Sequence, residues 1–377
     1  KTLGDNIKLF ALITNTLAKD KQVEDKWRGY KSPITSRNIS NLVEDEVVAA
    51  LINTVKQNYP RLAHRYYALK AKWLGLEKLE FWDRSAPLPN DDKEYIPYQT
   101  AIDITLGAFG EFSPELAKIG KEFFDKPWVD AQPRKGKDSG AFAHPVCVSA
   151  HPYLMVNYQG KIKDVMTLAH ELGHGVHQYL SRTQGPLMSD TPLTLAETAS
   201  VFGEQLVFRK LLNAETNPEA KKIMLAGKVE DMLNTVVRQI AFVEFERKVH
   251  EGRKNGELSA DQIGQFWTQV QTESLGSVFN FEKGYEHFWS YIPHFIHTPF
   301  YVYSYAFGDC LVNSLYAVYL KSPNGFENKY LDLLRAGGSK RHKELLAPFG
   351  LDASNINFWQ QGIDIIDNFI TELENSK

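Results

Sequence analysis

Apolar residues recur along most of this chain at intervals of three and four, the spacing of amphipathic helices. Near the start, Ile7, Phe10, Ile13 and Leu17 fall on one predicted helical face. After Pro60 the same spacing links Leu62, Tyr66, Leu69 and Trp73. Start signals agree with the pattern: Ser113 caps a run that has Pro114 at its first position, where a missing N–H costs nothing. Thr191 and Pro192 repeat that signal ahead of a further predicted helix, and Thr298 and Pro299 do so again. A long helical stretch is predicted from Glu219 to His250, and Ser259 with Gln262 forms a capping box after it.

One segment breaks the pattern. Gly140–Gly160, "GAFAHPVCVSAHPYLMVNYQG", is β-branched and aromatic and is punctuated by glycine and proline, which predicts two or more strands joined by turns. It ends just before a helix predicted to open at Asp164 and to run through Leu180, stopped by Gly185-Pro186. The expected fold is therefore mainly α, with a small β-sheet beside that helix. One domain is expected, comprising a helical lobe over residues 1–135, the small sheet over 136–160 and helices over 161–377.

Composition narrows the partners. A net charge of -3 over 377 residues argues against nucleic acid, which selects a basic excess. No apolar run reaches the roughly 18 residues of a membrane span. Two cysteines far apart, Cys147 and Cys310, give no disulfide framework, so a cytoplasmic setting is expected.

The chemistry concentrates in "LAHELGHGVH", Leu168–His177. Residues four apart on a helix differ by about 40° around its axis, so His170 and His174 can face one ion. Glu171 lies beside the pair, within reach of a water but badly placed to be a ligand. This is the His-Glu-x-x-His arrangement, two zinc ligands and a general base. The competing reading is a polar, solvated helix face. Apolar neighbours in "VMTLAHELGHGV" count against it, because two buried histidines and a glutamate need partners. His177 shares the face at i+7 but is too far along one straight helix to converge, so packing or a hydrogen bond to a ligand is expected of it. Glu197, in "LAETASVFGE" on the following helix, is the expected third ligand, with Glu204 on its face to orient a ligand histidine.

These residues resemble a known family. "HELGHGVHQYLS" followed by "TPLTLAETASVFGEQL" is similar to the oligoendopeptidase F branch of the thimet oligopeptidase family of zinc metallopeptidases. The likeness extends to "SAHPYLMVNYQGKIKDVMTLA", "IPHFIHTPFYVYSYAFG" and "YPRLAHRYYALKAKWLGLEKLEFWDRSAPLP", nearly the whole chain. It implies a multi-helix zinc metallopeptidase fold with a deep substrate channel, the family's N-terminal region being absent before Lys1. It implies one Zn2+ per chain on His170, His174 and Glu197, Glu171 as base, and short oligopeptides as substrates. It also implies that Pro293–Gly308 faces the scissile bond. From that segment His294 and Tyr305 are expected to be catalytic, and Tyr301 and His297 to contact substrate; Tyr303 is expected in the core. The substrate backbone is expected to pair with a strand edge in Gly140–Tyr158, Tyr158 included. The alternatives are a zinc-holding peptide-binding module without turnover and a broad protease of the thermolysin type. The oligomeric state is left open between monomer and dimer.

Overall fold

The computed structural model describes residues 2–88 and 95–376. The chain forms two compact units. Among the described residues the first takes 2–88, 226–307 and 354–375; the second takes 95–225, 308–353 and 376.

The first unit is helical. Its main helices are Ile7–Arg28, Asp45–Gln57, Arg65–Trp73, Val237–Arg253, Ala260–Leu275 and Ile356–Asn375. Its core is aromatic: the Trp267 ring lies 5.5 Å from both Phe242 and Phe245. A short parallel ladder pairs Leu79 with Phe279. The expected capping box forms: Ser259 Oγ accepts the Gln262 N–H at 3.1 Å, and Gln262 Oε1 accepts the Ser259 N–H at 2.8 Å.

Two expectations fail in this unit. Ile7–Arg28 is a helix, but its buried line runs through Ala11, Asn15 and Ala18, while Ile13 and Leu17 are exposed. The anchor is polar: Asn15 donates to the Leu258 carbonyl and accepts the Leu258 N–H, both at 2.8 Å. A residue that satisfies a loop backbone outweighs apolar periodicity there. The helix expected from Pro299 begins instead at Tyr303, because Phe300 is held at φ 59, outside helical geometry. Tyr303 is buried, as expected, with its hydroxyl accepting from Asn41 at 2.8 Å.

The second unit packs Tyr98–Phe112, Pro114–Asp125, Ile162–Ser181, Thr198–Ala214 and Phe326–Arg335. Ser113 caps the second of these, accepting the Leu116 N–H at 3.4 Å. Phe112, Phe202, Phe326 and Tyr330 form one aromatic cluster. The sheet has Tyr153–Met155 in the middle, antiparallel to Phe142–His144 and parallel to Val129–Asp130. Both expected strands of Gly140–Gly160 form; Val129–Asp130 is an addition the pattern did not mark. The sheet lies against Ile162–Ser181, where the Ala143 carbonyl accepts from Gln178 at 3.3 Å.

Four details of the predicted helices differ from expectation. Asp164 is the third residue of its helix, not the cap, and reaches back to accept the Lys161 N–H at 3.0 Å. Thr191 caps nothing; its hydroxyl lies 3.4 Å from His177 Nε2. The helix expected after it is cut in two, Leu193–Ala196 and Thr198–Ala214, with Glu197 at the break. The long stretch toward His250 is likewise two helices, Pro218–Thr235 and Val237–Arg253. No helix among the described residues is long and apolar enough to cross a membrane.

Candidate metal centre and its surroundings

The helix Ile162–Ser181 presents His170 and His174 from successive turns, and its glycines let neighbours come close. A Cβ on Gly173 would stand 2.5 Å from the Ala199 carbonyl oxygen and 2.6 Å from Ser200 Cα. Glycine between the two histidines therefore admits the backbone of the next helix pair, and that contact brings Glu197 to them. The break at Glu197 aims its carboxylate across the gap, and Ser200 donates to Glu197 Oε2 at 2.8 Å.

Three donor atoms converge. His170 Nε2 and His174 Nε2 are 3.1 Å apart, and Glu197 Oε2 is 3.4 Å from each. Donors held at zinc–ligand distances around one tetrahedral ion stand roughly 3.3 Å from one another. Among the described residues this trio is the one His/Cys/Asp/Glu group gathered closely enough to hold an ion. Glu204 Oε1 is 2.6 Å from His170 Nδ1, so the ring donates there and keeps the Nε2 lone pair facing the trio.

The electrostatics favour a cation. Burial pushes His170 toward its neutral form, but the Glu204 carboxylate bonded to it, with Glu197 and Glu171 nearby, outweighs that and raises it to about 9. His174 goes the other way, lowered to about 4 by burial and by the neighbouring His170. Three carboxyl groups, Glu171, Glu197 and Glu204, thus surround the two imidazoles. Glu171 is buried, and burial together with the Glu197 and Glu204 charges raises it to about 7, His170 opposing. Its Oε2 is buried without a hydrogen-bond partner. A carboxylate oxygen so placed is available for a water or a proton.

His177 lies outside the trio, buried, and is pushed down to about 4 by that burial. A cleft of about 470 Å³ opens beside His174, lined by Val146, Cys147, Gln178, Arg182 and Asp190 among others. Cys147 is exposed there and Cys310 is buried; both are free thiols. Tyr158 spends its hydroxyl on the Ile96 carbonyl, 2.7 Å away. In the first unit, His294 and His297 open and close one helical turn. His294 Nε2 is 3.5 Å from the Tyr305 hydroxyl, and its ring stacks on Tyr301 at 5.8 Å. Tyr301 and Tyr305 meet at 5.3 Å although Tyr301 precedes the helix.

Sequence reasoning missed two residues that shape the centre. Ser200 braces Glu197, and Gly308 faces it: a Cβ there would lie 2.8 Å from Glu197 Cβ. Ser200 stands three positions past a predicted ligand, a spacing that makes it a neighbour on a helix. Gly308 carries no such signal.

A helical fold with this trio and a buried glutamate between its histidines has the construction of a metallohydrolase. The chain belongs to peptidase family M3, whose family model matches residues 5–365. Oligopeptidase PepF of Bacillus subtilis is 30% identical over 99% of this chain and 56% of its own length. The chromosomal oligoendopeptidase F of Lactococcus lactis subsp. cremoris is 28% identical over 97% of this chain and 60% of its own. The chain thus spans under two thirds of these relatives. Among solved structures, a putative peptidase from Chlamydophila abortus superposes with TM-score 0.89 at 28% identity, covering all of this chain and 63% of that one. Oligoendopeptidase-F from Enterococcus faecium, TM-score 0.77 at 22% identity, covers 99% of this chain and 60% of its own, and shares the fold.

Proposed function

We propose that the chain is a zinc-dependent endopeptidase that hydrolyses internal bonds of short oligopeptides. The observation that carries this is the trio's spacing, 3.1, 3.4 and 3.4 Å between donor atoms, with the unpartnered Glu171 carboxylate beside it. His170, His174 and Glu197 would hold one zinc ion, which when bound polarises the scissile carbonyl and acidifies a water. Glu171 takes the water's proton as the water attacks and hands it to the leaving amine. Glu204 holds the His170 tautomer. His294 and Tyr305 are proposed as donors to the tetrahedral oxyanion, with Tyr301 and His297 as substrate contacts.

The strand Phe142–His144 lies at an edge of its sheet and suits pairing with an extended peptide backbone. The cleft beside His174 is the proposed seat of a substrate side chain. Short substrates are supported by the oligopeptidase names of the relatives, and a cytoplasmic setting by the two free thiols. The test is a ladder of quenched fluorescent peptides plus casein, with and without chelator. Internal cleavage of short peptides that stops on chelation and returns with zinc is expected. Bound but intact peptide at full zinc loading, or efficient casein digestion, would overturn the reading.

A further inference from the structure

The first unit buries a carboxylate that the proposed chemistry does not use. Glu246, on the helix Val237–Arg253, is 3% exposed. Its Oε1 accepts the Phe300 N–H at 2.7 Å, and its Oε2 is buried with no partner. Burial raises this carboxyl to about 8, against the opposing pull of the Phe300 N–H and of Arg37. A group so costly to bury needs a reason to be there.

Its partner supplies one. Phe300 is a fully buried residue at φ 59, a left-handed conformation that a phenylalanine adopts only when its surroundings impose it. Three contacts converge on this turn. Glu246 holds the Phe300 N–H, His250 one helical turn further packs its ring 5.0 Å from the Phe300 ring, and Arg37 Nε donates to the Pro299 carbonyl at 3.2 Å. The turn delays the helix to Tyr303 and so fixes where Tyr301 stands. With Phe300 in this turn, Tyr301 both stacks on His294 and meets Tyr305, two contacts that a helix started at Pro299 would have arranged differently.

We propose that Glu246 is a positioning residue: by accepting the Phe300 N–H it locks the left-handed turn that sets Tyr301 and Tyr305 against His294. The role belongs to the acceptor atom at its reach, not to the negative charge. This inference rests on the proposed hydrolysis for its kinetic consequence, and its structural consequence is read separately.

The test compares Glu246→Gln, Glu246→Asp and Glu246→Leu in the purified chain. Glutamine keeps an acceptor at the same reach, aspartate keeps the charge but falls one methylene short, and leucine keeps neither. Amide hydrogen exchange at Phe300 is expected to stay slow in the parent and in Gln, and to quicken by about tenfold in Asp and Leu, the loss of one hydrogen bond. Peptide turnover should follow the same order, kcat falling by about tenfold in Asp and Leu with KM within about twofold, while bound zinc is unchanged. Asp matching the parent with Gln impaired would overturn the inference in favour of charge, and parent-like exchange in both Asp and Leu would overturn it by showing that the side chain does not hold the turn. Should Leu fail to fold, the Gln and Asp ranking decides. A parent that cleaves no peptide sinks the functional proposal, while the exchange order still judges the turn.

Discussion

Placing alanine at Gly173 tests how the centre is assembled. The new Cβ would stand 2.5 Å from the Ala199 carbonyl oxygen and 2.6 Å from Ser200 Cα, both backbone atoms that cannot rotate aside. Non-bonded carbon contacts settle near 3.5–4.0 Å, so the helix Thr198–Ala214 must retreat by about 1 Å. Overpacking of this kind costs about 1–3 kcal/mol, which exceeds the roughly 1 kcal/mol gained by replacing a helical glycine with alanine. The retreat carries Glu197 with it, opening separations that are now 3.4 Å to each histidine. Misplacement by about 1 Å at a reacting centre costs on the order of 100-fold in rate. Expected, then, are a lower melting temperature, weaker zinc binding in competition with a chromophoric chelator, and a large loss of turnover. Gly175→Ala is the control, since its Cβ would meet the Phe123 ring and Leu154 instead, lowering stability without moving Glu197. A Gly173→Ala protein that melts and binds zinc like the parent would refute the reasoning.

Further outcomes follow from single contacts. Gly308→Ala pushes on Glu197 Cβ from 2.8 Å and should weaken zinc binding more than it lowers the melting temperature; equal and small effects on both would count against that contact. Glu204→Gln removes the charge on His170 Nδ1 and should cost about 10- to 100-fold in zinc affinity, measured by chelator competition. Burial, with Lys21 and Lys254 nearby, holds His250 neutral down to about pH 4 against an ordinary value of 6.5. Between those values the unfolded chain binds the proton and the folded chain resists it. This contribution is complete above pH 6.5 and lost as pH falls through 4. Urea midpoints should drop across that window, and less so in His250→Gln.

The trio of His170, His174 and Glu197 was legible because each part left a local mark. His170 and His174 show the four-residue spacing, and Glu197 sits in an apolar stretch where a lone acid needs a partner. The helical class followed from periodicity, and the two strands of Gly140–Gly160 from β-branched and aromatic content punctuated by glycine and proline. What escaped depends on contacts distant in sequence. Asn15 anchors its helix through Leu258, 243 residues away, so the apolar face of Ile7–Arg28 misled. The turn at Phe300 is imposed by Glu246 and Arg37, and no local signal competes with the Thr298-Pro299 start. Gly308 matters only because Glu197 is packed against it. The Thr191-Pro192 signal failed for a related reason, its hydroxyl being placed beside His177 instead of the helix.

In the proposed mechanism Glu171 performs the proton transfers while His170, His174 and Glu197 hold the metal. Zinc content and peptide turnover of Glu171→Gln, measured on one preparation, test it most directly. One zinc per chain is expected, as in the parent, with a fall in kcat of about 100- to 10,000-fold. Cleavage at the parent rate with zinc in place would contradict it, because the buried carboxylate would then have no part in the reaction.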